Sequence, residues 1–93
     1  MAKILNTDKP FLLIECSAVE LMNAVGSDHC VCDWCDKSCL PSEKGCYIAV
    51  LNHWYCKECF EKWIGQAEYY PEDVDVERKN FDFYTPRFGL KCQ

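Results

Sequence analysis

The 93-residue chain has no apolar run approaching the roughly 18 residues that a membrane-spanning helix needs. Its first ten residues also lack the long apolar core of a secretory signal, so we expect a cytoplasmic protein with no membrane partner. The reducing cytosol disfavours a disulfide framework. Basic residues are few as well, with ten Lys and Arg against fifteen Asp and Glu. The resulting net charge of −5 disfavours nucleic acid as a partner, because non-specific binding to nucleic acid needs a basic face.

The motifs of common catalytic sites are also missing. The chain has no H-E-x-x-H sequence, no glycine-rich phosphate loop and no recognisable Ser-His-Asp arrangement, so we do not expect an enzyme. Internal repeats and low-complexity segments are absent. At this length, one domain spanning residues 1–93 is expected.

Cysteine, in contrast, is abundant, at nine residues. A chain of this size buries only about 60–65% of its unfolded surface, and such domains often need a stabilising cross-link such as a disulfide or a bound metal. The odd number of thiols excludes complete internal pairing into disulfides. The positions of the thiols therefore matter more than their number.

The N-terminal half carries signals for one strand and one helix. The mainly apolar run 11–15 fits a buried strand. Directly after it, Ser17 and Glu20 match a capping box, which predicts a helix over 18–25 with Gly26 as its stop.

The next segment predicts a hairpin followed by a longer helix. Residues 47–50 and 53–55 are β-prone and flank a two-residue connection, as in a β-hairpin. A helix over 56–70 is then predicted, with Pro71 closing it. Its apolar face, at helical spacing, consists of Phe60, Trp63, Ile64 and Ala67.

The last part of the chain predicts a charged connection and a final strand. Residues 72–80 are highly charged and fit a turn or a short helix. Residues 81–84 alternate as a half-buried strand does, and we expect them to pack against strand 11–15. The predicted fold class is α+β, with one N-terminal helix and added N- and C-terminal strands.

Two C-x-x-C pairs stand out, Cys32 with Cys35 and Cys56 with Cys59. Two intervening residues let both thiols of a pair turn toward one ion. Two such pairs supply four thiolates, which suits tetrahedral Zn²⁺. The twenty residues between Cys35 and Cys56 agree with known zinc-site spacing.

Residues 30–70 resemble a treble-clef zinc finger, in which a thiol-bearing knuckle, a β-hairpin and a helix follow one another. The resemblance implies that the knuckle and the helix start each supply two ligands. The implied ligands of one Zn²⁺ per chain are then Cys32, Cys35, Cys56 and Cys59. In such a site the metal is structural.

The first-finger spacing of a LIM domain is also present, because His53 lies three residues before Cys56. That resemblance would make His53 the fourth ligand in place of Cys59. A second LIM finger is missing, since Lys62 stands where its next ligand is required and only Cys92 follows.

The other thiols leave further alternatives open. A second zinc site would use His29, Cys30, Cys39 and Cys46, although their spacing matches no known pattern. The simpler interpretation is that these cysteines are small, partly buried apolar residues, as is Cys16. Four thiolates also accept iron, which would indicate electron transfer.

The sequence favours a protein-interaction or adaptor module that binds another protein or itself, because the chain is acidic and rich in aromatic residues. Of its tryptophans, Trp63 is expected in the core and Trp34 is the candidate for exposure. The alternatives are a nucleic-acid-binding adaptor and a thiol–disulfide redox protein that uses a C-x-x-C pair at a helix start.

Overall fold

A computed structural model describes residues 2–90, whose centre is a four-stranded antiparallel sheet. The strands are β1 (Lys3–Leu5), β2 (Leu13–Ser17), β3 (Lys44–Ile48) and β4 (His53–Cys56). They lie in the order β1-β2-β3-β4, so each strand pairs with its neighbour along the chain. The α-helices are α1 (Ala18–Val25), α2 (Lys57–Gln66) and α3 (Val74–Tyr84), and short 3₁₀ turns occupy Pro71–Asp73 and Pro86–Phe88.

Both faces of the sheet are covered. Tyr47 of β3 packs on Tyr84 of α3, with ring centroids 4.8 Å apart. Tyr55 of β4 lies on the opposite face and contacts Trp63 of α2 edge-on at 6.4 Å. The sheet is therefore enclosed between α2 and α3, and its strands contribute fully buried side chains such as Leu13, Ile14 and Ile48.

The predicted N-terminal strand and helix are confirmed, the strand with a shift of two residues to β2. The side chain of Ser17 accepts the N–H of Glu20, and the Glu20 carboxylate accepts the N–H of Ser17, which completes the capping box of α1. Gly26 ends the helix with a φ of +73°, a conformation that glycine adopts without steric cost. Strand β1 has no signal of its own in the sequence and is positioned by its pairing with β2.

The predicted hairpin is confirmed, but its connection is longer than expected. Ile48 pairs with His53, so four residues, 49–52, connect β3 to β4. Asn52 adopts a φ of +56° in this turn, and asparagine tolerates the left-handed region better than most residues.

Helix α2 begins where predicted but ends at Gln66, four residues earlier than expected. Ala67 already has extended backbone, with φ −68° and ψ 141°. Lys9, from the connection between β1 and β2, donates its Nζ to the carbonyl oxygens of Ile64 and Ala67. An ammonium group at this end stabilises the last carbonyls and the negative end of the helix dipole.

The predicted C-terminal strand at residues 81–84 is wrong, because these residues form the last turn of α3. A longer window shows the helical period: Glu77, Phe81 and Tyr84 recur at i, i+4 and i+7 and face the sheet, with Glu77 and Phe81 fully buried. Four residues of such a helix can show the same alternation of apolar and polar side chains as a strand, and 81–84 are such a case. Most of the charged stretch 72–80 accordingly belongs to α3.

Glu77 attaches α3 to the rest of the fold and gives a testable prediction. Its Oε2 accepts the N–H of Leu12 at 2.9 Å and its Oε1 accepts the hydroxyl of Tyr69 at 3.3 Å. Glu77→Ala leaves that N–H without its partner, so we expect the free energy of unfolding to fall by about 2–3 kcal/mol in urea titrations. Asp82→Ala on the exposed side of α3 is the control and should cost no more than about 0.5 kcal/mol. Equal losses in the two variants would contradict this role of Glu77.

Candidate metal centre

The first thiol pair lies on a tight loop, residues 31–38, which we call the knuckle. Cys32 donates its N–H to the carbonyl of Lys37 at 3.1 Å, and Asp36 donates its N–H to the carbonyl of Cys32 at 2.9 Å. Asp36 closes the turn with a φ of +59°, which aspartate tolerates because its short side chain can hydrogen-bond locally. The chain thus reverses around Cys32 and Cys35.

The second thiol pair lies at the junction of β4 and α2. Cys56 is the last residue of the strand and the N-cap of the helix, and Cys59 lies in the first helical turn. Residues three apart on a helix share a face, so the helix start directs both thiols to the same side. The positive end of the helix dipole also favours a thiolate at this position.

Hydrogen bonds attach the knuckle to β4 and set the two pairs against each other. Asp33 and Trp54 exchange two of them: the N–H of Asp33 donates to the Trp54 carbonyl at 3.1 Å, and the Trp54 N–H donates to Asp33 Oδ2 at 3.0 Å. Cys56 donates its N–H to the sulfur of Cys32 at 3.3 Å. This role of Asp33 could not be predicted from the sequence, because its partner is a strand that lies about twenty residues further along the chain.

The four sulfur atoms of Cys32, Cys35, Cys56 and Cys59 all lie within 4.8 Å of one another. A tetrahedral Zn²⁺ with Zn–S bonds of about 2.3 Å requires sulfur atoms about 3.8 Å apart, so the observed cluster is close to the size of a zinc site. Three of these residues are buried and Cys35 is exposed. Within residues 2–90 this is the one group of three or more potential ligands close enough to hold a metal ion.

The electrostatics of the cluster favour a cation. Burial raises the pKa of Cys59, and the thiols of Cys56 and Cys32 beside it raise that pKa further. Burial also acts on Cys32, but backbone N–H groups that donate to its sulfur outweigh burial and lower its pKa to about 7. A divalent cation in this space would stabilise the thiolate form of the clustered cysteines, which is the form that binds metal.

His53, the alternative fourth ligand, lies outside the cluster. It is exposed, and its ring is 6.0 Å from that of Tyr55. Cys59 is the residue that the structure places beside the other three thiols.

The proposed second set of ligands is not brought together in the part of the chain that the structure describes. His29 is on the surface, where its Nδ1 lies 3.0 Å from Asp28. Cys30 and Cys46 are in the core, and Cys39 is half-buried. Burial raises the pKa of Cys30 to about 11.

Cys16 and Cys92 are the remaining cysteines of the chain. Cys16 is buried in β2, as expected for a core residue, and burial raises its pKa to about 12. Cys92 lies outside the described residues.

The three tryptophans have different environments. Trp54 is buried, and its Nε1 donates to the carbonyl of Cys16 at 3.4 Å. Trp63 is half-buried and packs on Phe11, with ring centroids 4.8 Å apart. Trp34, on the knuckle between two thiols, is 41% exposed and contacts Tyr55 edge-on.

None of the described helices is both long enough and apolar enough to cross a membrane. A comparison of the chain with known protein families, curated proteins and solved structures finds no match.

Proposed function

We propose that this protein is a small zinc-binding interaction module with one structural Zn²⁺ per chain, held by Cys32, Cys35, Cys56 and Cys59. The observation that carries the proposal is the approach of their four sulfur atoms to within 4.8 Å of one another. Four protein ligands fill a tetrahedral site and leave no position for water or substrate. The metal would therefore contribute folding energy and take no part in catalysis.

We further propose that residues 30–70 are a treble-clef unit within a single domain over 1–93. The support is the order of elements around the thiols: a knuckle with the first pair, the hairpin of β3 and β4, and α2 starting at the second pair. This order also makes zinc a better candidate than iron.

The role in protein interaction is supported by charge and by exposed apolar side chains. The net charge is −5, and Trp34, Leu51 and Tyr70 are each more than a third exposed. Nucleic acid fits less well, because α2 carries only Lys57 and Lys62 as basic residues and a four-thiolate zinc site would add about −2 in charge. Thiol–disulfide exchange also fits less well, since an attacking thiol needs access and Cys56 is buried.

The test of the metal site is the metal content of the purified, untagged protein, measured by ICP mass spectrometry together with its native mass. We expect one zinc per chain. Iron would replace the proposal with electron transfer, and two metal ions per chain would require the second set of thiols. A folded protein without metal, never exposed to chelator, would overturn the proposal.

Alkylation of Cys35 provides an independent prediction. Cys35 is the exposed member of the cluster, so burial alone would not protect it from N-ethylmaleimide. In the zinc-bound protein we expect its rate of labelling, followed by peptide mass spectrometry, to be at least about ten-fold lower than after treatment with EDTA. Rapid labelling of Cys35 in the untreated protein would contradict metal ligation.

A further inference from the structure

A second feature lies beyond the metal centre, toward the C-terminal end of α2. It is a groove of about 250 Å³ between the turn that follows β3, helix α2 and the segment that follows α2. We call it the aromatic groove, and its apolar lining consists of Phe11, Val50, Leu51, Trp63, Ala67 and Tyr70.

The aromatic groove combines a fixed floor with exposed apolar walls. Phe11 is buried and is held between Trp63 at 4.8 Å and Tyr69 at 5.5 Å, measured between ring centroids. Leu51 is 37% exposed and Tyr70 is 50% exposed. These two side chains leave apolar surface in water that a partner would bury.

The rim of the aromatic groove is acidic. Glu68 and Asp73 line it, and the hydroxyl of Tyr70 donates to Glu68 at 3.1 Å. That hydrogen bond, with the charges of Glu68, Glu72 and Asp73, raises the pKa of Tyr70. The Nζ of Lys9 is bonded to the last carbonyls of α2.

We propose that the aromatic groove binds a short basic segment of a partner protein. An apolar side chain of that segment lies between Leu51 and Trp63, and a neighbouring Lys or Arg pairs with Glu68 and Asp73. At about 250 Å³ the groove is smaller than the roughly 300–1,000 Å³ of small-molecule pockets, but it accommodates one or two side chains of a peptide.

Charge and ring chemistry both favour a basic segment over a neutral one. The net charge of −5 attracts cationic partners from a distance. A Lys or Arg side chain near the groove can also lie over the ring of Trp63 or Tyr70, whose faces attract cations. This inference deepens the proposed function and rests on it, because it names the partner class of the interaction module.

The test uses the full-length protein as purified and three fluorescent peptide pools with a fixed central Leu or Phe. The flanking positions are Lys and Arg in the first pool, Ser in the second and Glu in the third. By fluorescence anisotropy we expect the basic pool to bind at least about ten-fold more tightly than the acidic pool, with a preference that weakens as salt is added. Equal binding of the two pools, or no binding, would overturn the proposal.

Variants locate the binding site. Leu51→Ser should weaken binding of the basic pool at least about five-fold, whereas Val25→Ser, a similarly exposed residue at the end of α1, should leave it unchanged. The double variant Glu68→Lys with Asp73→Lys should reverse the preference toward the acidic pool. If Val25→Ser weakens binding as much as Leu51→Ser, the groove is not the site.

Sedimentation velocity identifies the other possible occupant. A dimer that Leu51→Ser dissociates would show that a second copy of the chain fills the groove, which would overturn the assignment to a basic partner. Failure of the peptide test is distinguishable from failure of the metal proposal, because metal content is measured on the same samples. A folded, zinc-loaded protein that binds none of the pools would contradict only the proposal for the groove. A folded, metal-free protein that binds the basic pool would contradict only the proposal for the zinc site.

Discussion

Cys59→Ser is expected to abolish binding of the proposed Zn²⁺ and to unfold most of the domain at room temperature. Structural zinc contributes about 10–16 kcal/mol to the folding of zinc-finger peptides. The total stability of a domain is only about 5–15 kcal/mol. Loss of the metal therefore removes a free energy comparable to the whole stability of the domain. We expect the cooperative thermal transition in circular dichroism to disappear and the zinc content to fall to near zero.

Cys39→Ser is the matched control for that variant. Cys39 is half-buried next to the knuckle, and it is not among the four clustered thiols. This variant should keep one zinc per chain and lose no more than about 1 kcal/mol, which is roughly 4–8 °C in melting temperature for a chain of this size. His53→Ala should likewise keep its zinc. A Cys59→Ser protein that stays folded with one zinc would contradict the proposed ligand set.

Gly45→Ala is the second variant with a large expected effect. Gly45 lies in β3 opposite both Cys16 and Cys56. A Cβ atom there would overlap the carbonyl oxygen of Tyr55 and lie 2.6 Å from Cε2 of the buried Trp54. The carbonyl oxygen cannot move without disturbing the pairing of β3 with β4, which ends at Cys56. We expect a loss of at least about 3 kcal/mol, at the upper end of overpacking costs.

Gly65→Ala gives the matched comparison. Gly65 lies in α2, and a Cβ atom added there meets nothing within 4 Å. Alanine is favoured over glycine inside a helix by about 1 kcal/mol, so this variant should be slightly more stable than the natural chain. Urea titrations of both variants measure the difference. Equal stability of Gly45→Ala and Gly65→Ala would contradict the close contact of Gly45 with Tyr55 and Trp54.

Local signals in the sequence were enough to predict the elements whose causes are local. The helix over 18–25 was predictable because its capping box and its glycine stop involve residues within one or two turns. The sequence pointed to the thiol cluster for a similar reason, since each pair is two residues apart and the spacing itself directs both thiols to one side.

The errors arose where distant contacts decide the structure. Residues 81–84 are too few to distinguish an alternating strand from one turn of a helix. Glu77 is the residue that reveals the helical spacing with Phe81 and Tyr84, but it lies inside a charged stretch. Its burial depends on the N–H of Leu12, 65 residues away. Asp33 was missed for the same reason, because its partner Trp54 belongs to a strand 21 residues further along the chain.

The β1-β2-β3-β4 order has a consequence for synthesis on the ribosome. Because every strand pairs with the one made before it, the sheet can assemble step by step as the chain emerges. Both thiol pairs precede α3 in the chain, so the proposed Zn²⁺ could bind before α3 has docked on the sheet. The late step is the docking of α3, and until then the apolar sheet face around Tyr47 is open to water. We expect chains whose α3 has not yet emerged from the ribosome to be the stage most exposed to chaperones and to aggregation.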